Sequence, residues 1–201
     1  MKRYGIMGGT FNPIHLAHLY IAYEAKEQLD LESIIFIPAG NPPHKKDKNI
    51  IDSKYRYEMV KQAIQGYDGF VVSDYEIKKS GYSYTYETLE HFKSEDVELF
   101  FIAGGDSLMD IEKWKKPDEV LNKCNLVIFN RGQYTKDDLE KQKNNLEEKY
   151  EANIILLDIA NIDISSSMIR DRLEKGRRVD FFLPDEVLRY IDDNKLYEGE
   201  G

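Results

Sequence analysis

Cysteine is almost missing: Cys124 is the only one in 201 residues. An internal disulfide and a cysteine-based zinc site are thereby excluded, and a reducing cytoplasm is the expected setting. There is one tryptophan and there are four histidines, so the place of each is informative. No apolar run approaches the ~20 residues of a membrane-spanning helix. The start, MKRYGIMGGT, lacks the apolar stretch of a secretory signal. Basic residues are too few to balance acidic ones, and the net charge is −9. A chain this acidic has no broad basic footprint for a nucleic-acid polymer. Any anionic ligand must be met by local cations and backbone N–H groups.

What is present is ordinary globular composition, with 41% hydrophobic residues, which excludes collagen-like and disordered classes. The length suits one large domain, or one domain with a small appendage. Monomer and homo-oligomer both stay open. RYGIM (3–7), SIIFIP (33–38), LFFIAG (99–104), NLVIF (125–129) and NIILLD (153–158) read as strands. All are near-continuous apolar runs, as expected of strands covered on both faces. Helical patterns fall between them, at 14–29 and near 53–65, 84–94, 117–123 and 135–149. The repeated β-α-β order predicts an α/β fold with a doubly wound parallel sheet, Rossmann-like, over 1–163. The last part differs. SSSMIRDRLEKG (165–176) predicts a serine-capped helix stopped by Gly176, and LPDEVLRYIDDN (183–194) a second, with Pro184 at its first helical position. Residues 164–201 are therefore expected to form a small helical subdomain. The loop AGNPPHKKDKN (39–49) follows a strand and is a candidate substrate loop.

GIMGGTFNPIHLAH (5–18) sits where such a fold binds ligands, between the first strand and the first helix. Gly8 and Gly9 are expected to turn the chain and let its backbone approach a phosphate. A helix start near Pro13–Ile14 would aim free N–H groups at an anion. No GK[ST] follows, so this is not a P-loop. The glycine order is not GxGxxG, so the dinucleotide fingerprint fails too. His15 and His18 are three apart and share a helix face. Two such histidines can simply cap a helix and fill space. A zinc site would need a third ligand. Their place beside a glycine turn at a strand end favours a paired phosphate grip.

The likeness to a known family now becomes specific. GGTFNPIHLAH (8–18) resembles GGTFDPxHxGH, the first motif of the nucleotidyltransferase superfamily. ISSSMIR (164–170) resembles its second motif, ISS[ST]xIR. Between them PAGNPPHK (38–45), SYTYETL (83–89), FIAGGDSL (101–108) and Trp114-Lys115 are similar, in order, to the pattern of bacterial nicotinate-nucleotide adenylyltransferases. The likeness covers nearly the whole chain. Asn12 stands where the pattern has Asp, and Ala17 where it has Gly. Alanine is the smallest alternative, so adenine can still pack against the helix.

The resemblance implies that ATP and nicotinate mononucleotide give deamido-NAD and pyrophosphate. The attacking phosphate oxygen is already anionic, so catalysis is positioning and charge stabilisation. His15 and His18 would donate to ATP phosphates, as would the backbone of Thr10 and Phe11 beside Gly8 and Gly9. Ser165, Ser166 and Arg170 would hold the β- and γ-phosphates, with Mg²⁺ carried mainly by phosphate and water oxygens. Serines also cap helices, and Arg170 also suits a surface ion pair. Asp106 would accept ribose hydroxyls beside Gly104, or else cap the next helix. Trp114 would stack on the pyridinium, or else pack at an interface. Tyr84 and Thr85 would open a helix whose N–H groups bind the nicotinate carboxylate. Asn41, His44 and Lys45 would contact substrate from the proline-rich loop.

Three rivals share the fold. A phosphopantetheine adenylyltransferase is typically shorter, uses a TxGH-type motif and lacks SYTYETL and the Trp-Lys pair. A preference for nicotinamide mononucleotide would turn only on the carboxylate. A non-catalytic nucleotide-binding regulator would have no need of His15, His18, Ser165 and Arg170 together.

Overall fold

The computed structural model describes residues 1–41 and 50–197. Among these, six strands form one parallel sheet: β1 (Lys2–Gly9), β2 (Ser33–Pro38), β3 (Phe70–Val72), β4 (Val97–Gly104), β5 (Asn125–Phe129) and β6 (Asn153–Leu156). Their spatial order is β3-β2-β1-β4-β5-β6. This is the doubly wound order, and its reversal lies between β1 and β4.

Alternation along each strand explains the continuous apolar runs. Met7, Ile34, Phe36, Phe100, Ile102, Val127 and Phe129 face one core. Ile6, Ile35, Ile37, Leu99, Phe101, Leu126 and Ile128 face the other. Successive strand side chains point to opposite faces, so a sheet covered on both sides needs apolar residues at every position. The first face is covered by α1 (Leu16–Gln28), α2 (Ser53–Ala63), α8 (Ser166–Glu174) and α9 (Asp185–Asp193). The second is covered by α4 (Thr85–Phe92), α5 (Gly105–Asp110), α6 (Pro117–Lys123) and α7 (Lys136–Tyr150). A short α3 (Tyr75–Lys78) links β3 to this second layer. Ile169, Val187 and Ile191 of the last two helices enter the first core beside Ile14, Leu19 and Met59.

Several caps match the chemistry of their residues. Asp52 accepts the Lys54 N–H at 2.8 Å at the start of α2, and Thr135 accepts that of Asp138 at 3.1 Å at the start of α7. Ser165 accepts from Met168 N–H at 3.2 Å. Each satisfies an N–H that the helix itself cannot.

Some boundaries differ from expectation. β3 and α3 were not foreseen, because three residues with Val71 exposed and a four-residue helix leave no periodic pattern. Helix α1 starts at Leu16, not near Pro13–Ile14, because His15 is still extended (φ −147°, ψ 169°). Pro184 is the cap of α9 and not its first residue.

Candidate functional site

The first turn is made differently from the sequence reading. Gly8 and Gly9 are the last two residues of β1 and do not turn the chain. The left-handed residue is Phe11, at φ 49°. Its ring is 2% exposed and meets His18 edge-on, with centroids 5.1 Å apart. A Cβ on Gly9 would come within 2.9 Å of that ring, so only glycine lets Phe11 fold back beneath the strand end. Gly8 has no such neighbour; its bare backbone faces the cavity described below.

His15 is the N-terminal cap of α1 and is 1% exposed. Its Nδ1 is buried without a hydrogen-bond partner. Burial, with the nearby positive charge of Arg131, holds its pKa down to about 3, so the ring is neutral at pH 7. The His15 backbone N–H donates to Nδ1 of His18 at 3.2 Å. The two rings stack with centroids 3.7 Å apart and planes 25° from parallel. An accepting Nδ1 means that a neutral His18 carries its proton on Nε2.

The second motif docks onto the first. Ser166 Oγ donates to the Pro13 carbonyl at 2.8 Å, and Arg170 Nη1 donates to the Asn12 carbonyl at 2.8 Å. Arg170 thus touches the other motif and makes no ion pair among the described residues. The Ser165 hydroxyl caps α8. Both serine hydroxyls are engaged within the protein. The Ser165 cap takes the Met168 N–H; the N–H groups of Ser166 and Ser167, at the start of α8, have no acceptor within the helix.

The other walls come from the ends of β4 and β5 and the start of α4. Gly104 caps α5, and Asp106 lies in that helix's first turn rather than at its cap. Tyr84 caps α4 and Thr85 is its first residue, as expected. Trp114 meets Phe101 edge-on, with centroids 6.1 Å apart. It is therefore both a packing residue and a wall of the cavity. Asn41 is exposed and does not line the cavity; its carbonyl accepts from Ser83 N–H at 3.1 Å. His44 and Lys45 lie outside the described residues.

All these walls enclose one cavity of about 590 Å³ at the carboxyl ends of β1 and β4. Gly8, Gly9, Thr10, Phe11, His15, His18, Tyr84, Thr85, Gly104, Asp106, Trp114, Ser165, Ser166 and Arg170 all line it. So do residues the sequence reading passed over: Glu76 and Thr88, and Asn130, Arg131 and Tyr134 after β5. Glu76 is buried and accepts from Thr88 Oγ1 at 2.6 Å, and burial raises its carboxyl pKa. The Arg131 guanidinium lies over the Phe129 ring at 5.2 Å, and burial lowers its pKa against the pull of Asp106 and Asp163. A signal for Arg131 did exist: it follows a strand end, on the ligand-binding edge of such sheets.

Buried polar atoms are rarely left unpaired. Among the described residues five are so placed: Arg3 Nε, which is ion-paired with Glu98 at 3.3 Å, and His15 Nδ1, Ser83 Oγ, Asn130 Oδ1 and Arg131 Nε, whose residues all line this cavity. A polar ligand would meet these last four. No group of three or more His, Cys, Asp or Glu residues suited to a metal occurs among the described residues. No helix there is long and apolar enough to cross a membrane.

Comparison with known proteins adds three findings. Residues 6–172 match the family model described as cytidylyltransferase-like. A Clostridium botulinum protein named "Probable nicotinate-nucleotide adenylyltransferase" is 58% identical over 200 residues, and a Clostridium perfringens protein of the same name is 50% identical over 202; each alignment covers 100% of both chains. Among solved structures, the Plasmodium falciparum nicotinic acid mononucleotide adenylyltransferase complexed with NaAD superposes with a TM-score of 0.81 over 98% of each chain, at 21% identity. That likeness shows the fold.

Proposed function

This chain belongs to the cytidylyltransferase-like family, among its nicotinate-nucleotide adenylyltransferases, and from that membership we propose that it transfers the adenylyl group of ATP to nicotinate mononucleotide. The products are deamido-NAD and pyrophosphate. The observation that carries the reading is the docking of α8 onto the first turn. Arg170 on Asn12 and Ser166 on Pro13 bring both motifs to one cavity.

In this account the mononucleotide's phosphate oxygen attacks the α-phosphorus of ATP in line. A new O–P bond forms as the bond from the α-phosphorus to the pyrophosphate oxygen breaks. The nucleophile is already an anion, so no side chain removes a proton. The protein aligns the two phosphates and stabilises charge as it moves. His18 donates through Nε2–H. His15, neutral at pH 7, fixes the His18 ring and adds its own N–H. The backbone of Thr10 and Phe11 lines the same turn, and Gly8 and Gly9 leave it uncovered. The first turn of α8 and Arg170 hold the leaving phosphates. Arg131, near enough to His15 to depress its pKa, supplies a second cation. Asp106, beside Gly104, accepts ribose hydroxyls of the adenosine.

The mononucleotide ring stacks on Trp114, and its carboxylate meets the N–H groups at Tyr84–Thr85. His44 and Lys45 contact the substrate in this reading; Asn41, which does not line the cavity, does not. Mg²⁺ accompanies the triphosphate and neutralises its charge when bound. The side chains named for the triphosphate are arginine, histidine and serine, whose N–H and O–H groups suit phosphate oxygens, so phosphate and water oxygens hold the ion. Segment 164–201 works with core 1–163 as one domain. The partners are these two nucleotides rather than a nucleic-acid polymer or a membrane, and the setting is the cytoplasm.

The test is incubation with ATP, Mg²⁺ and nicotinate mononucleotide, with chromatographic detection of deamido-NAD and an assay for pyrophosphate. Equimolar products are expected. Consumption of ATP with phosphopantetheine but not with the mononucleotide would overturn the substrate assignment.

A further inference from the structure

Arg56 is the largest fully buried side chain among the described residues, at 1% exposure, and the reaction above gives it no task. It stands on α2. Nη1 donates to the Thr10 carbonyl at 2.6 Å. Nη2 donates to that of Ala39 at 2.6 Å and, more weakly, to that of Gly40 at 3.5 Å. Nε donates to that of Ile51 at 3.1 Å. All four acceptors are backbone oxygens. Burial lowers the Arg56 pKa, partly offset by Tyr197 and Asp52. A buried cation whose hydrogen bonds all go to neutral carbonyls is costly to keep.

The identity of the acceptors is the informative part. Thr10 is in the turn between β1 and α1. Ala39 and Gly40 open the loop after β2, and Ile51 stands at its far end. One planar guanidinium therefore joins the phosphate turn to both ends of the loop that carries Asn41. Nearby bonds tie the same pieces: Ala39 N–H donates to the Gly9 carbonyl at 2.8 Å, and Ile51 N–H to Asn12 Oδ1 at 3.4 Å. The Tyr197 hydroxyl also donates to Asn12 Oδ1, at 2.8 Å.

We propose that Arg56 is a positioning residue for adenylyl transfer, setting the spacing between the turn that grips ATP and the two ends of the segment after β2, where Ala39 and Ile50 line the same cavity. The inference rests on the proposed function and deepens it. Only a guanidinium presents donors in a fixed fork wide enough for these carbonyls; a lysine ammonium is a single point. In-line transfer is sensitive to such spacing. A misplacement of about 1 Å costs on the order of 10²-fold in rate.

The experiment compares Arg56→Ala and Arg56→Lys with the parent protein. It measures kcat and both KM values per folded molecule, with the melting temperature and circular dichroism. The inference predicts that kcat per folded molecule falls by roughly 10- to 100-fold in both variants, more than either KM rises. Millimolar guanidinium should restore part of the turnover of Arg56→Ala, and equal urea should not. A lowered melting temperature with kcat per folded molecule within about twofold of the parent, too small a change for lost alignment, would overturn it. If Arg56→Ala does not fold, Arg56→Lys decides by the same criterion. Absence of turnover in the parent would overturn the functional reading, and this inference with it.

Discussion

His18 accepts the backbone N–H of His15 through Nδ1 at 3.2 Å while the two rings stack 3.7 Å apart. The pair thus fixes both the ring orientation and the tautomer that His18 presents to the cavity. His18→Ala should lower kcat by on the order of 10²–10³, as for loss of one transition-state donor, with unchanged circular dichroism. Near-parent turnover in a folded variant would leave His18 with a packing role only.

Acid should weaken the fold through His15. Its folded pKa of about 3 lies well below the ordinary histidine value of 6.5, because burial and Arg131 disfavour the charged ring. The unfolded chain therefore binds the extra proton first. The stabilisation is complete above about pH 6.5 and is lost as pH falls toward 3, by up to about 1.4 kcal/mol per pH unit. Urea titrations of the parent and His15→Gln between pH 7 and pH 4 should show a shallower decline in the variant. Parallel declines would show that His15 does not titrate in this way.

Removing Arg170 should separate the two substrates. Arg170→Ala takes away a cation next to the triphosphate and its bond to Asn12. ATP affinity should drop about tenfold or more, as for loss of a charge-assisted bond. Mononucleotide affinity should change little. Calorimetric titration of each ligand alone distinguishes this from general damage, which would weaken both.

Trp114 is the only tryptophan, so its fluorescence reports on the mononucleotide side without interference. Nicotinate mononucleotide should quench it. The N–H groups at the start of α4 only donate, and a nicotinamide would leave one facing its own NH₂, at a cost of about 1–3 kcal/mol. The kcat/KM ratio should therefore favour nicotinate by about tenfold to several-hundredfold. Trp114→Ala should reduce activity with both mononucleotides alike. A ratio near one would remove the carboxylate site and leave adenylyl transfer standing.

The sheet was legible because strands buried on both faces cannot hide: SIIFIP and NLVIF are apolar at every register position that reaches a core. β3 was not, since it contributes Phe70 and little else to either core. The turn at residues 8–15 was located correctly but built wrongly. Glycines suggest positive φ, yet the left-handed residue is Phe11, held there by its ring under Gly9. Arg56 was invisible for another reason, and Arg131 was marked only by its place after the end of β5. In sequence each is one charge in a polar stretch. Only folding sets Arg131 beside His15 and Arg56 beneath Thr10. Trp114 and Arg170 carried two readings each, and the structure places both residues in the cavity wall.

The central claim is that the α-phosphorus of ATP is the atom attacked, and isotopic labelling addresses it directly. Parallel reactions with nicotinate mononucleotide would use ATP labelled at the α-phosphate or at the γ-phosphate. The account predicts all transferred α-label in the dinucleotide and all γ-label in pyrophosphate. Label from the γ-phosphate on the mononucleotide, or α-label remaining in ADP, would contradict it.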